Sequence, residues 1–352
     1  MGVVVAGIRE RGRAIRDYIV AHVRAHPHDI AQVCADHFDI SRQAANKHLG
    51  RLVADGLLTA QGATRGRRYS LTALDEKHVV VQLTEGVDED SVWRREVAPL
   101  LAPIPRGARE IWQYGFTEML NNAIDHSSGT WVRIKIARTA VDVDINLLDN
   151  GEGIFRKIAR ELRLDDERHA VLELAKGKLT TDPENHTGEG IFFTSRLFDK
   201  FNLLSRSVFF SHDRVTREDW IQETRAESRG VEFPGTSVVL ALKNDTTRTI
   251  KQVFDEYTED GDYGFSKTVV PVRLVLYGDE ALISRSQAKR LLARFDRFKK
   301  VILDFEGVEQ IGQAFADEVF RVFAKAHPDV EIVPFNTNPD VDAMIRRARN
   351  TT

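Results

Sequence analysis

The stretch Glu118-Met-Leu-Asn-Asn122-Ala-Ile-Asp125-His126, read together with Asp149-Asn-Gly-Glu-Gly-Ile154 and Thr187-Gly-Glu-Gly-Ile191, decides the fold of this 352-residue chain. Around the first segment, apolar Ile111, Tyr114, Met119, Leu120 and Ile124 recur among polar residues at helical spacing, so a helix is predicted over 110–124. Glu118, Asn122 and Asp125 stand four and three residues apart and share one face of that helix. A carboxylate that can take a proton from water, beside an amide oxygen that can ligate a hard cation, suits Mg-assisted phosphoryl chemistry. Taken alone, the same spacing also fits a solvated polar face.

The alternating run Val141-Asp-Val-Asp-Ile-Asn-Leu-Leu148 reads as a strand ending in Asp149-Asn150-Gly151. That places a carboxylate at the mouth of a cleft, where it can accept a hydrogen bond from an exocyclic base amine. Gly151 and Gly153 would let backbone approach a nucleotide closely, although an Asn-Gly turn accounts for the same residues. Upstream of the third segment, the polar stretch Lys176 to His186, with Gly177, Pro183 and paired threonines, suits a mobile lid. Gly188 and Gly190 then open a helical run, Ile191 to Phe198, whose first amides can meet phosphates.

With Gly235-Thr236-Ser237 following, these segments resemble in order and spacing the GHKL-type ATP-binding fold shared by gyrase B, heat-shock chaperones, histidine kinases and MutL, a Bergerat-type α/β sandwich. The resemblance covers roughly residues 80–245 and implies ATP and Mg2+ as ligands. Carried over, it implies Glu118 as the base that activates water, Asn122 as the Mg ligand and Asp149 as the adenine reader. It further implies that Asp125 lies near the adenine through water, that Gly151, Gly153, Gly188 and Gly190 shape the loops, and that Thr236 holds the Asp149 region. Asn121-Asn122-Ala-Ile is closest to anti-sigma-factor serine kinases and histidine kinases. Histidine kinases typically carry Asn where Glu118 stands, so this chain keeps the base expected of a hydrolase or serine kinase.

Ahead of this region, helices are predicted over 9–25 and 28–37, followed by Asp39-Ile-Ser41-Arg42-Gln43-Ala-Ala-Asn46-Lys47-His48-Leu49. Ser41 is a natural N-cap; Leu49, Leu52 and Val53 form the buried stripe. Arg42, Gln43, Asn46 and Lys47 are left on the outer face, where such side chains contact base edges and phosphates. Asp55-Gly56-Leu57-Leu58 leads into Gly62-Ala-Thr-Arg65-Gly66-Arg67-Arg68-Tyr69, two short strands with a basic tip. The unit resembles a winged helix-turn-helix domain. Residues 1–72 hold eleven Lys and Arg against six Asp and Glu on a chain whose total is −3, an electrostatic footprint for double-stranded DNA. A protein-binding unit with a solvated basic loop would carry the same charge.

In the last ninety residues Val270, Val272, Leu274 and Leu276 alternate as a strand, followed by a helical pattern over 284–298 and a buried strand at Val301 to Phe305. A helix over 313–324, a strand over 330–334 and a helix over 341–348 complete a small α/β layer. Leu303-Asp304-Phe305-Glu-Gly307-Val308 through Phe315 resembles a STAS-like domain, the fold of anti-sigma antagonists. The phosphorylatable serine that such antagonists normally present at the start of the next helix has no counterpart in Gly312-Gln313-Ala314-Phe315, which points to a docking or dimerisation surface for a protein partner, or to a ligand sensor.

The expected fold class is thus multidomain, α+β and α/β: residues 1–74 a winged helix, 75–245 the ATP-binding domain, and 246–352 a linker helix with the STAS-like domain. A single cysteine, Cys34, sits in an apolar stripe and excludes a disulfide framework. Apolar runs are too short for a signal peptide or membrane span, so a cytoplasmic protein is expected. His126 and His186 flank the expected pocket without metal-ligand spacing. The preferred reading is an ATP-responsive, homodimeric DNA-binding regulator. A serine/threonine kinase of the anti-sigma-factor type and a nucleic-acid-sensing ATPase of defence or DNA transactions are the alternatives.

Overall fold

The computed structural model describes residues 2–63, 66–179, 188–214, 216, 218–223, 235–258, 264–276 and 281–350. Helices α1 (Gly2–His22), α2 (Ile30–Phe38) and α3 (Arg42–Ala54) precede the hairpin β1 (Leu58–Gln61) and β2 (Arg68–Leu71). Asp39 takes the left-handed conformation that closes α2, and the Ser41 hydroxyl accepts from the Ala44 amide at 3.1 Å to open α3. Ile19, Val23, Ile30, Cys34, Ala45, Leu49 and Leu52 fill a core of their own, with Val53 half-buried beside them. Ala140 and Val141 pack against this core from outside the unit, and Arg24 pairs with Asp142 and Asp144, each at 2.9 Å.

The central unit runs β3 (Asp75–Gln82), α4 (Glu89–Val92), a π turn (Trp93–Val97), α5 (Ala98–Leu101), α6 (Arg106–His126), β4 (Trp131–Arg138) and β5 (Asp142–Asp149). After them come α7 (Ile154–Leu162), α8 (Glu167–Lys176), α9 (Gly190–Leu197), β6 (Lys200–Ser205), β7 (Val208–Asp213), β8 (Glu218–Glu223) and β9 (Thr236–Lys243). The strands form one seven-stranded sheet, ordered β3-β4-β5-β9-β6-β7-β8, with every pairing antiparallel. Alternation buries one face, including Val132, Ile134, Ile136, Val143, Ile145, Leu147, Val238, Leu240, Phe201, Leu203 and Phe210, while Arg133 and Lys135 point to solvent.

Helix α6 forms because Ala108, Ile111, Trp112, Gly115, Phe116, Met119, Leu120 and Ala123 recur at three- and four-residue intervals and are all buried. Trp112 meets Phe198 edge-on with ring centroids 4.7 Å apart. Gly115 makes room for that contact, since a Cβ there would overlap the Phe198 ring.

The C-terminal unit comprises α10 (Ile250–Asp255), β10 (Lys267–Pro271), α11 (Arg285–Leu292), β11 (Lys300–Asp304), α12 (Gln313–Asp317), α13 (Ala324–Ala326), β12 (Glu331–Phe335) and α14 (Pro339–Asn350). Its sheet is parallel, ordered β10-β11-β12. A π-helical run, Glu318–Phe323, joins α12 to α13. One expectation is corrected: the strand ends at Pro271, and Val272–Val275 winds into a 3-10 turn. That turn buries Val272, Leu274 and Val275 together, which alternation along a strand could not do. The expected linker helix is represented among the described residues by α10, opened by a Thr249–Gln252 capping box. The central and C-terminal units share one continuous apolar core.

Gly115→Ala is expected to cost about 1–3 kcal/mol by overpacking against Phe198, read as a lowered denaturation midpoint of the full chain. An unchanged midpoint would contradict the packing described.

Candidate functional site

The glycine segments and α6 converge on a cavity of about 330 Å3 beneath the sheet. Met119, Ala123, Val132, Leu147, Leu203 and Val238 supply apolar wall from α6 and four strands, and Ile154, Ile158, Leu174, Ile191 and Phe192 supply it from the surrounding helices. Into this lining project Glu118, Asn121, Asn122, His126, Ser127, Asp149, Lys157 and Thr236. An apolar pocket with a few convergent polar groups is the usual form of a small-molecule site.

Asp149 is held at the end of β5 with only 5 % of its surface exposed. Its Oδ1 accepts the amides of Gly151 at 2.8 Å and Thr236 at 3.2 Å, leaving Oδ2 for a ligand. The Thr236 hydroxyl in turn accepts from the Ile154 amide at 3.0 Å, so one residue ties β5, β9 and the start of α7 together. Gly235 precedes it at φ +77°, where a Cβ would overlap the Asp149 backbone and carboxylate. Burial pushes the Asp149 carboxyl above the ordinary aspartate range, while the Gly151 and Thr236 amides pull the other way.

On the facing wall the Asn122 amide nitrogen donates to the Glu118 carbonyl at 2.8 Å, which leaves Oδ1 available to a cation. The Glu118 carboxylate lies against Gly190, where a Cβ would overlap Oε2. Gly188 and Gly190 both line the cavity, and the Leu179 amide donates to the Gly188 carbonyl at 2.9 Å. Among the described residues no cluster of three or more His, Cys, Asp or Glu could hold a metal. Asn122 Oδ1 could supply one ligand to a hard cation such as Mg2+.

Three of the expected site residues lie outside the cavity lining. Asp125 does not line the cavity and is exposed, because the last turn of α6 carries its face out to solvent; His126, one residue on, lines the cavity instead. Gly151 and Gly153 also lie outside the lining. Their missing side chains admit protein rather than ligand: a Cβ on Gly151 would overlap the Ser127 carbonyl, and one on Gly153 (φ +91°) would stand 2.7 Å from the Ser205 hydroxyl. Residues 180–187, with His186 and Thr187, fall outside the described residues.

Sequence reasoning missed Lys157, Asn121 and Ser127. Lys157 lines the cavity and donates to the His126 carbonyl at 2.9 Å. Its signal was a cation in the first turn of a helix following Gly-x-Gly, a common place for an anion contact.

On the N-terminal unit, Arg42, Gln43, Asn46 and Lys47 are exposed along one side of α3, and Arg67 and Arg68 are exposed at β2. Arg67 lies over the Tyr69 ring, 5.3 Å from its centroid. Arg65 is outside the described residues.

Residues 287–342 match the family described as a STAS-like domain of unknown function (DUF4325), a segment running from α11 into α14. The C-terminal unit is STAS-like. No curated protein matches the chain. No helix among the described residues is long and apolar enough to cross a membrane.

Asp149→Ala strands two buried amides and is expected to lower stability by about 1–3 kcal/mol without any ligand, with Asp149→Asn retaining most of it because an amide oxygen still accepts. Chemical denaturation of the three proteins checks this ordering.

Proposed function

We propose that the chain is an ATP-binding, DNA-binding regulator whose central unit is a GHKL-type, slowly ATP-hydrolysing domain and whose N-terminal unit is a winged helix-turn-helix. The observation that carries this reading is that Glu118 and Asn122 of α6, Asp149 of β5 and Thr236 of β9 line one cavity. Asp149 offers a carboxylate oxygen to an exocyclic amine at one end. At the other, Asn122 offers Oδ1 to Mg2+, and Glu118 offers a base to water beside the backbone of Gly188 and Gly190. Mg2+ would supply charge neutralisation of the phosphates and Lewis-acid polarisation. Lys157 adds a cation for the same phosphates.

DNA binding is supported by the exposed Arg42, Gln43, Asn46 and Lys47 on α3 with Arg67 and Arg68 on the adjacent hairpin. None of the four cations among them forms an ion pair among the described residues, so their charge is available to phosphates. A homodimer would present two such helices to a two-fold operator. Nucleotide can switch DNA binding only if it binds one conformation better than the other. The ion pairs of Arg24 with Asp142 and Asp144 link the two units directly.

Incubation with γ-labelled ATP and Mg2+ is the first test. The wild type should release phosphate, and Glu118→Ala should lower kcat by about 10²–10⁴ while ATP affinity changes little, as expected for loss of a general base. Label transferred to protein instead of phosphate would favour the serine kinase reading, and absence of ATP binding would end both.

Asp149 must be ionised to accept from the adenine amine. Because burial raises its pKa, ATP affinity should fall with decreasing pH at a point above the ordinary aspartate value of about 3.9. Asp149→Asn should remove that dependence in a binding titration across pH.

Arg42→Ala combined with Lys47→Ala should weaken DNA binding and reduce its salt slope by about 1 for each phosphate that is no longer neutralised, with ATP affinity intact. Unchanged DNA binding by this variant would refute the assignment of α3.

A further inference from the structure

Two residues of the cavity wall, one at the end of α8 and one just beyond it, flank a segment that the STAS-like unit also holds. Leu174 and Leu179 line the cavity, and between them lie Lys176, Gly177 and Lys178. Lys176 is fully buried; its ammonium donates to Glu173 at 2.6 Å and to two carbonyls at the end of α11, Ala293 at 2.9 Å and Arg290 at 3.0 Å. A cation from one unit therefore caps the helix C-terminus of another.

Arg294 returns the contact. Its guanidinium donates to the Glu173 carboxylate at 2.9 Å, to the Gly177 carbonyl at 3.0 Å and to the Lys178 carbonyl. Arg297 adds a bond to the Lys178 carbonyl at 3.1 Å, and buried Thr268 donates to the Lys176 carbonyl at 2.7 Å. Arg294 sits at φ +64°, a left-handed backbone that a residue of its kind adopts only when its surroundings require it. Gly177, at φ +82°, packs so closely on Phe265 that a Cβ would stand 2.5 Å from its ring. Phe265 in turn lies 4.6 Å from Phe192, another residue of the cavity lining.

Apolar packing alone could join the two units, as their shared core demonstrates. Buried ion pairs contribute little net stability compared with apolar replacements, whereas the bonds they make are directional. Here those bonds end on the backbone of the residues that set Leu174 and Leu179.

We propose that Arg294 is a positioning residue for the nucleotide: through the carbonyls of Gly177 and Lys178 and the carboxylate of Glu173, the STAS-like unit sets the shape of the ATP cavity. The proposal rests on the ATP reading given above. Coupling of this kind is reciprocal, so nucleotide also biases the surface that the STAS-like unit presents to a partner.

The test is equilibrium binding of a fluorescent ATP analogue with Mg2+ to the full chain, alongside its thermal midpoint. Arg294→Lys keeps a cation beside buried Glu173 but cannot span the two carbonyls. It should fold with a midpoint near that of the wild type and bind ATP at least tenfold more weakly. Thr268→Val, which removes the bond to the Lys176 carbonyl, should weaken binding in the same direction. Arg168→Ala breaks a contact between the same units, to the Leu276 carbonyl at 3.2 Å, away from the 176–179 backbone, and should bind within twofold of the wild type. Wild-type affinity in Arg294→Lys would overturn the inference while leaving the ATP reading intact, and so would an equal loss in all three variants. A wild type that binds no ATP would overturn both.

Discussion

Everything in the central unit depends on α6 lying flat beneath the sheet. Its buried stripe, from Ala108 through Trp112, Phe116 and Leu120 to Ala123, leaves no rotational freedom, because turning the helix would expose two of the largest side chains in the core. With 3.6 residues per turn, fixing that stripe also fixes where Glu118 and Asn122 point. The polar groups of the site are positioned by hydrophobic burial a quarter-turn away.

The opposite wall is set by hydrogen bonding instead. Asp149 accepts two backbone amides through one oxygen, and Thr236 passes the constraint on to the first turn of α7. Close backbone contacts enforced by Gly151, Gly153 and Gly235 complete it, and each of these glycines is needed because another part of the protein occupies the space of a side chain. The cavity therefore joins hydrogen-bonded polar groups to an apolar lining.

That arrangement makes the chain less modular than three separate folds would be. The N-terminal unit keeps its own core and touches the sheet through Arg24 and the Ala140–Val141 turn. The STAS-like unit shares the central core and sends Arg294 to the residues beside the cavity. Burial alone would raise the Glu173 carboxyl, but His169, Lys176 and Arg294 hold it at about 2.

Local periodicity made α6, β5 and the α2–α3 pair legible, since each buries one face over enough residues to leave a pattern. Ser41 as a cap and the Asp149–Gly151 corner were legible for the same local reason. Asp125 lies outside the cavity lining because sharing a helix face gives an angle but no depth, and the turn that carries it has already emerged into solvent. Val272–Val275 was misread because alternation of apolar residues cannot distinguish a strand from a short turn that is buried all round. Phe198 over Gly115 and Arg294 against Glu173 were beyond any reading of the sequence, because they join residues whose separation along the chain carries no periodic signal. Amino-acid order by itself determined the long amphipathic helices and alternating strands and which residues could do chemistry; tertiary packing decided which of them meet, because only the burial of several apolar faces against one another brings distant side chains within hydrogen-bonding distance.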